Sequence, residues 1–590
     1  NFSVNGNLEK FAPKAFKQMK IPISYSHAEF VEDPEFVANS DVKLEEAARA
    51  EYNKAIESGA SAEEAQARAD ATRLRSQTLR VQDSWAITGF KLGIPIKHWL
   101  IDDTFNKITL GYSYAQETER SPVVQERFNW QWNLNAKYSV QISDFASFKP
   151  LAFSKDWFFL GTYSDLKVNL FPQTVTAGLD LVRRRQTEQS RFLDYPSPVI
   201  RDFSALQSGS FNWRFSENGF LSPALDYSVG TRSTMVPFEI GPDGTQRTGS
   251  ELFKQILFTE DGWLNLGTAT SHQQSVTLNI KPVFPLGSYK KYVDVTGNFT
   301  TNYRWFNPMQ PDPAIADIAK QAGWNNNINF NVGLRLKAMT DDLFGTAKPA
   351  SRRGPRQDTS SSSRSGTNFL SAFGRVLKTV FLDFDKMDIT FTQGNNSSNP
   401  GVMGGTGISN FWSFTQPESI AFGPSLAYQL GLIEHPHGGF RMRSSSAFPW
   451  VSFDTYPGLR PPNAILQDNF DQASSLQIKM GRPLWEGATL DLNWASDYVF
   501  QKTQTVVTED DGIPLFTNVI ATETYNKTFL SMPSLFGIDF FSNDLNNVVT
   551  LFEQEKQALI DQGYDTTSAQ YNLLLQNALS ESFHNGLEAF

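Results

Sequence analysis

Phe128-Asn129-Trp130-Gln131-Trp132-Asn133-Leu134-Asn135-Ala136-Lys137-Tyr138-Ser139-Val140-Gln141-Ile142 alternates apolar and polar side chains without an error. Period two is the signature of a β-strand whose two faces meet different surroundings. At about 3.3 Å per residue and a tilt near 40°, such a strand rises on the order of 38 Å, enough to cross an apolar band of about 25 Å. On the apolar face, Trp130 and Trp132 stand on one side of Leu134 and Ala136, and Tyr138 on the other. That is the order of two interfacial girdles around a hydrocarbon zone. A long strand in a soluble antiparallel sheet is the competing reading of this one segment.

Repetition carries the argument outward. Val293 to Trp305 and Ile328 to Leu336 alternate in the same way, as do the shorter runs Ile108–Tyr114, Met387–Thr392, Leu476–Met480 and Leu490–Trp494. Tyr303 and Trp305 therefore join Trp130, Trp132 and Tyr138 as the expected lipid-facing girdle. Asn129, Gln131, Asn133, Asn135 and Lys137 are the expected lumen-facing side chains, because a polar face of amides and hydroxyls suits a wet lumen better than a packed second layer. Many strands of one type imply one barrel or sandwich. About 10 residues per span plus loops give roughly 15 to 20 strands.

The segments between strands divide the chain. Strands are expected over 1–40. Residues 41–80 read as a helical hairpin, broken at Ser58-Gly59-Ala60 and restarted by the capping box Ser61-Ala62-Glu63-Glu64. Strands with long loops follow over 81–348, with a short helix expected within Pro311–Ala322. The Ser/Arg-rich stretch 349–367 has no apolar period and reads as a flexible linker. Strands and Gly-rich loops occupy 368–540, and 541–590 reads as helical turns broken at Gly563 and Asp565-Thr566.

Composition narrows the class. Apolar residues make up 40% and charged residues 19% of 590 positions, both below the globular averages of about 45–50% and 25%. No run approaches the roughly 18 to 20 apolar residues of a membrane-spanning helix, so a membrane crossing would have to use strands. The opening Asn1-Phe2-Ser3-Val4-Asn5-Gly6-Asn7-Leu8 alternates like a strand and has no basic start or apolar core of a signal peptide. Both ends read as cuts in a longer chain. The absence of cysteine excludes disulfides and thiolate chemistry and fits an envelope protein exported unfolded. A net charge of −10 argues against a nucleic-acid partner.

No motif for chemistry stands out. The Gly-rich loop with Gly401, Gly404, Gly405 and Gly407 lacks the Gly-Lys-Ser/Thr of a phosphate cradle and reads as a close-packed turn. His435-Pro436-His437 lacks further ligands at zinc spacing. Arg183-Arg184-Arg185 is read as a strand-end cluster snorkelling toward headgroups. Adjacent acids such as Asp102-Asp103, Asp341-Asp342 and Asp510-Asp511 read as solvated loops. The expectation is a non-enzyme with no cofactor and no metal.

Several phrases resemble a known family, the SprA (Sov) translocons of the type IX secretion system of Bacteroidota. They are the Asn7–Pro13 run, Ile21-Pro22-Ile23-Ser24-Tyr25, Asp41-Val42-Lys43-Leu44, Phe384 to Thr392, Asn399-Pro400-Gly401 with Gly404-Gly405-Thr406-Gly407, Phe411-Trp412, and Gly423 to Gly431. The resemblance implies a very large outer-membrane barrel that exports folded cargo bearing a C-terminal secretion domain and supports gliding motility. Its implied partners are that cargo, a gate-side outer-membrane protein, a periplasmic plug subunit and membrane lipids. The expected fold class is thus all-β, a large antiparallel transmembrane β-barrel segment with helical and disordered loop insertions. Two rivals stay open: another outer-membrane porin or nutrient transporter, and a soluble adhesin or glycan-binding β-sandwich.

Overall fold

A computed structural model describes residues 1–344, 384–403, 424–432, 460–527 and 544–588, apart from 12–18, 38–39, 97, 103, 143–146, 158–159, 194, 196, 260–261, 286–290, 311, 425, 486–487, 509–513 and 516–520. The stretch 349–367 and the residues Gly404, Gly405, Gly407, His435 and His437 lie outside the described residues.

The protein is mostly antiparallel β with few helices, in one large sheet of sixteen strands. In chain order these are β1 (Phe2–Asn7), β2 (Pro22–Glu32), β3 (Thr78–Phe90), β4 (Ile108–Arg120), β5 (Val124–Gln141), β6 (Thr174–Ser190), β7 (Ile200–Arg214), β8 (Ala224–Thr234), β9 (Thr268–Ile280) and β10 (Val293–Phe306). They continue as β11 (Gln321–Leu334), β12 (Lys386–Pro400), β13 (Ile465–Trp485), β14 (Ala488–Thr508), β15 (Pro514–Leu515) and β16 (Ala521–Lys527). From β1 to β14 every strand hydrogen-bonds to the next in sequence, and β15 and β16 both pair with β14. Among the described residues β1 does not pair with β15 or β16, so the hydrogen-bonded sheet stays open.

The alternation explains the strand lengths. β5 has 18 residues and β13 and β14 have 21 each, against about 5 to 6 in ordinary strands. Two of the short runs quoted above are inner parts of longer strands, Met387–Thr392 in β12 and Leu476–Met480 in β13, whereas the run Ile328–Leu336 outlasts its strand: β11 ends at Leu334 and Leu336 opens a helix. Where a short helix was expected within Pro311–Ala322, only Pro313–Ala316 is helical, and β11 already begins at Gln321. Ala322 and Trp324 extend the period-two pattern of that strand, which outweighs the local helical signal.

The chain forms two compact units. The first, Asn1–Ile142 with Thr174–Phe211 and Ser228–His272, carries two insertions. One is the hairpin of α1 (Leu44–Glu57) and α2 (Ala62–Ser76), in which Ala48, Ala55, Ala65 and Ala69 are buried while the charged faces stay wet. Ser61 and Glu64 close the capping box that starts α2. The other holds α3 (Gly249–Leu257), whose Leu252 joins Leu181, Phe203, Ala205, Met235 and Leu266 in the core of this unit.

The second unit comprises Ser143–Gln173, Asn212–Tyr227 and Gln273–Phe590. It contains the wide sheet β10–β14 and the helices α4 (Leu336–Phe344), α5 (Asp544–Asp561) and α6 (Ala569–Glu588). α5 stops at Gly563, with φ at +84°, and the side chain of Asp565 accepts from the backbone N–H of Thr567 before α6 begins.

Candidate functional site

The strands present two chemically different faces, and the register shows how each is composed. In the first unit Tyr25 lies opposite Trp85, Trp85 opposite Tyr114, and Tyr114 opposite Trp132. Four aromatic side chains thus form one row across β2–β5, with the Trp85 and Tyr114 ring centroids 5.9 Å apart, inside the range of favourable aromatic pairs. The next row is Ile23, Ile87, Tyr112, Leu134 and Leu181. Beyond it stand Leu110, Ala136 and Leu179, then Ile108, Tyr138 and Ala177.

On the other side of the aromatic row the same face turns polar, with His27, Asp83, Gln116 and Arg185 beside Trp130. Asp83 accepts hydrogen bonds from the Tyr25 hydroxyl at 2.9 Å and from His27 Nδ1 at 2.8 Å. Trp130, Trp132 and Tyr138 all sit on this face and are half-buried. Trp132 also packs edge-on to Phe203, at 5.9 Å between centroids, against the cluster that α3 completes.

Asn129, Gln131, Asn133, Asn135 and Lys137 share the opposite face. Their neighbours on β4 are Glu117, Ala115, Ser113, Gly111 and Thr109. Gln131 donates to Asn133 at 3.1 Å, and Asn133 to Ser113 at 3.3 Å. A shallow groove of about 220 Å³ runs over this surface, lined by Ser3, Ser24, Ser26, Ser84, Ser113 and Asn133 among others. At one end of the face charges link four strands: Arg80 to Glu119 at 3.3 Å, Arg127 to Glu119 at 3.1 Å and Arg127 to Glu188 at 2.8 Å. Opposite charges placed across neighbouring strands satisfy one another, with Glu119 buried between its two arginines.

The second unit repeats the division. Thr296, Asn298 and Thr300 on β10 face Asn331, Asn329 and Asn327 on β11. These continue to Thr390, Thr392 and Gly394 on β12, and to Gln477, Ser475 and Ala473 on β13. Three successive rows across four strands therefore carry no charge. Asn298 donates to Asn279 at 2.8 Å and Asn302 to Asn325 at 3.0 Å. Charged residues flank these rows, Asp294, Asp388 and Lys479 toward one end and Arg304 and Asp471 toward the other.

The opposite face of β10–β13 is apolar over part of its length and covered by the chain over the rest. Val295, Val332, Ile389 and Ile478 form one row, and Phe330, Phe391 and Leu476 belong to the next. Further along come Thr301, Asn326, Asn395 and Gln472, and then Tyr303, Trp324, Ser397 and Phe470. Nearly all side chains of these last two rows are buried.

Segments 400–402, 426–431 and 460–466 lie over them. Trp305 Nε1 donates to the Val402 carbonyl at 3.0 Å, and Asn326 Nδ2 to the Gly431 carbonyl at 2.7 Å. The Tyr428 hydroxyl donates to Asn399, and Arg460 forks onto Asp468 at 2.8 and 2.9 Å. Gly431 sits at φ +67°, and a Cβ there would lie 2.8 Å from the Trp324 ring. Only glycine lets the backbone approach so closely.

Two expectations change as a result. Tyr303 and Trp305 are not surface aromatics: they are 0% and 5% exposed, under the segments just described. Period two assigned them to the right face but could not show that the chain folds back over it. Arg183-Arg184-Arg185 is not a strand end either, because β6 runs on to Ser190. Alternation sends Arg184 to the polar face, where it meets Asn129 at 3.3 Å. Arg183 points to the other face and holds the fully buried Glu239 at 2.8 Å, with Arg201 at 3.5 Å from the same carboxylate. The Arg183 guanidinium also lies over the rings of Trp130 and Phe203, at 5.1 and 5.5 Å.

The Glu239 cluster and the cover on Tyr303 have no local sequence signal because their partners lie far apart in the chain, whereas Arg460 and Asp468 stand only eight residues apart, with Arg460 in the approach to β13 where no period places the two on one face. One signal was available for α3: Thr248-Gly249-Ser250-Glu251 is a capping box, and Thr248 N and Glu251 N each bond to the other's side chain. Gly401, the described member of the Gly-rich loop, has φ +70° and sits within the turn after β12, with Leu466 and Pro461 against it.

What these residues can do together is separate two environments. One face offers amides and hydroxyls to water, and the other offers aromatic and aliphatic rows or is sealed by the chain itself. No protein-family model matches this sequence, and no curated protein matches it.

Proposed function

We propose that the chain forms wall strands of a large outer-membrane β-barrel of a Gram-negative bacterium. In this reading it is a non-enzymatic, protein-conducting channel of the type IX secretion class. The observation that carries the reading is the uninterrupted antiparallel meander of long two-faced strands. Its aromatic row bordering aliphatic rows suits a lipid boundary, with Trp130, Trp132 and Tyr138 on the lipid side. Its opposite face suits a water-filled lumen that folded cargo crosses: hydrated, uncharged over the middle rows of β10–β13, and without an apolar patch on which a passing protein would stick. The resemblance to the SprA family supplies the cargo class, the gate-side partner, the plug and the link to gliding.

Deletion in the native host, followed by proteomics of medium and envelope, tests the reading. Cargo with the C-terminal secretion domain is expected to accumulate in the periplasm. An unchanged secretome, with altered uptake of small solutes, would replace the translocon by a porin. Recovery of the protein from cells without detergent would replace both by a surface module.

A further inference from the structure

The second unit carries a small lobe at the chain segments joining β5 to β6 and β7 to β8. It is built on a three-stranded sheet of Ser147–Phe148, Lys167–Asn169 and Ser216–Glu217. The lobe is firmly held: the Tyr163 hydroxyl donates to the Val283 carbonyl at 2.8 Å, Trp213 Nε1 to the Asn169 carbonyl at 3.0 Å, and Asn169 Nδ2 to the Arg214 carbonyl at 2.7 Å. Yet it turns large apolar side chains outward. Phe153 is 72% exposed, Trp157 57%, Phe171 55% and Phe220 54%. Phe153 and Trp157 pack edge-on at 6.0 Å, as do Phe220 and Phe284 at 5.8 Å, so the rings are ordered against one another.

Scattered exposed aromatics need no explanation, but a set of them on one small rigid lobe marks an interaction surface. We propose that this lobe is an interfacial anchor that seats its aromatic side chains at the headgroup level of the bilayer. The inference rests on the membrane reading above. Three observations favour lipid over a protein partner. The exposed set is mostly aromatic, with Leu170 and Leu221 beside the rings, and aromatics are the side-chain type that prefers the water–hydrocarbon boundary. Lys155 lies between Phe153 and Trp157 in sequence and is exposed, able to reach lipid phosphates, while Lys149 is paired with Asp165 at 3.2 Å. The lobe is also tethered to membrane-length strands by short links: five residues separate Gln141 from Ser147, and four separate Asn169 from Thr174.

The chain has no cysteine, so single nitroxide labels test this directly. Phe153→Cys, Trp157→Cys and Phe171→Cys would be labelled in the full chain and reconstituted in phosphatidylethanolamine–phosphatidylglycerol vesicles. Collision with oxygen would then be compared with collision with a water-soluble nickel chelate. Arg49→Cys on α1 serves as the aqueous control, and Phe330→Cys on the apolar face of β11 as the control for the membrane reading.

The expected result is a severalfold higher oxygen-to-nickel ratio at the three lobe sites than at Arg49. Low access to both reagents at 153 and 157 would mean that protein covers the lobe, and would overturn the anchor in favour of a protein partner. A nickel-rich lobe with an oxygen-rich Phe330 site would overturn the anchor and leave the barrel standing. Nickel-rich signals at both would overturn the membrane reading itself.

Discussion

Glu239 shows what a single residue does here. It is fully buried between Arg183 and Arg201, and it fixes the segment before α3 to β6 and β7. Removing one partner of a buried pair leaves an uncompensated charge, at a cost of about 3–5 kcal/mol. Glu239→Leu should therefore lower stability by about that amount, read by urea unfolding in detergent micelles. Combining it with Arg183→Met should recover part of the loss, because two apolar side chains replace the closer ion pair while the partly exposed Arg201 keeps its charge beside them. An additive double variant would mean that the pair is not coupled. The sequence shows the triple arginine, but the partner lies 56 positions away, and only the folded chain brings it near.

At the scale of the element, the hairpin α1–α2 was legible because its capping box, its Ala-rich inner positions and its break at Gly59 are all local signals. What joins the two helices besides the alanines is Arg73, which hydrogen-bonds Glu45 at 2.7–2.9 Å. That contact holds the Glu45 carboxyl below its usual range. A lowered folded-state pKa means that the contribution is present above the unfolded value, near 4.3, and is lost as pH falls through the folded one. Electron–electron distances between nitroxides at Arg49→Cys and Arg68→Cys should therefore be narrowly distributed at neutral pH and broaden in acid below that value. An unchanged distribution in acid would assign the whole contact to the alanines. High salt should broaden it only modestly, since the pair is exposed and screened.

On the scale of the whole molecule, the two faces make opposite demands on neighbouring residues. Ile389 stands in the apolar row with Val332 and Ile478, whereas Thr390, one residue on, faces Asn331 and Gln477. A lysine on a lipid face costs about 2–4 kcal/mol near the bilayer midplane. Ile389→Lys should thus strongly reduce folded protein in the outer-membrane fraction. Thr390→Lys should change stability by no more than about 0.5 kcal/mol, as surface substitutions do. Equal effects would remove the two-faced account of the wall, because a one-residue step along a strand must reverse the face.

The sequence by itself determined the strands, their two faces and the terminal and inserted helices, since period two, capping boxes and glycine breaks act within a few residues. Asn129, Gln131, Asn133, Asn135 and Lys137 could be placed together on paper because alternation alone puts them there. It could not determine what lies over each face. Trp132 and Trp305 look alike in pattern, yet Trp132 is half-buried beside α3 while Trp305 is sealed beneath Val402. That difference comes from contacts across long separations, 97 residues between Trp305 and Val402, where loop closure and packing decide, and no local pattern encodes them. The exposed aromatic lobe follows the same rule, for Phe153, Trp157, Phe171 and Phe220 lie in irregular segments with no period to read. Only the fold turns them outward from one lobe.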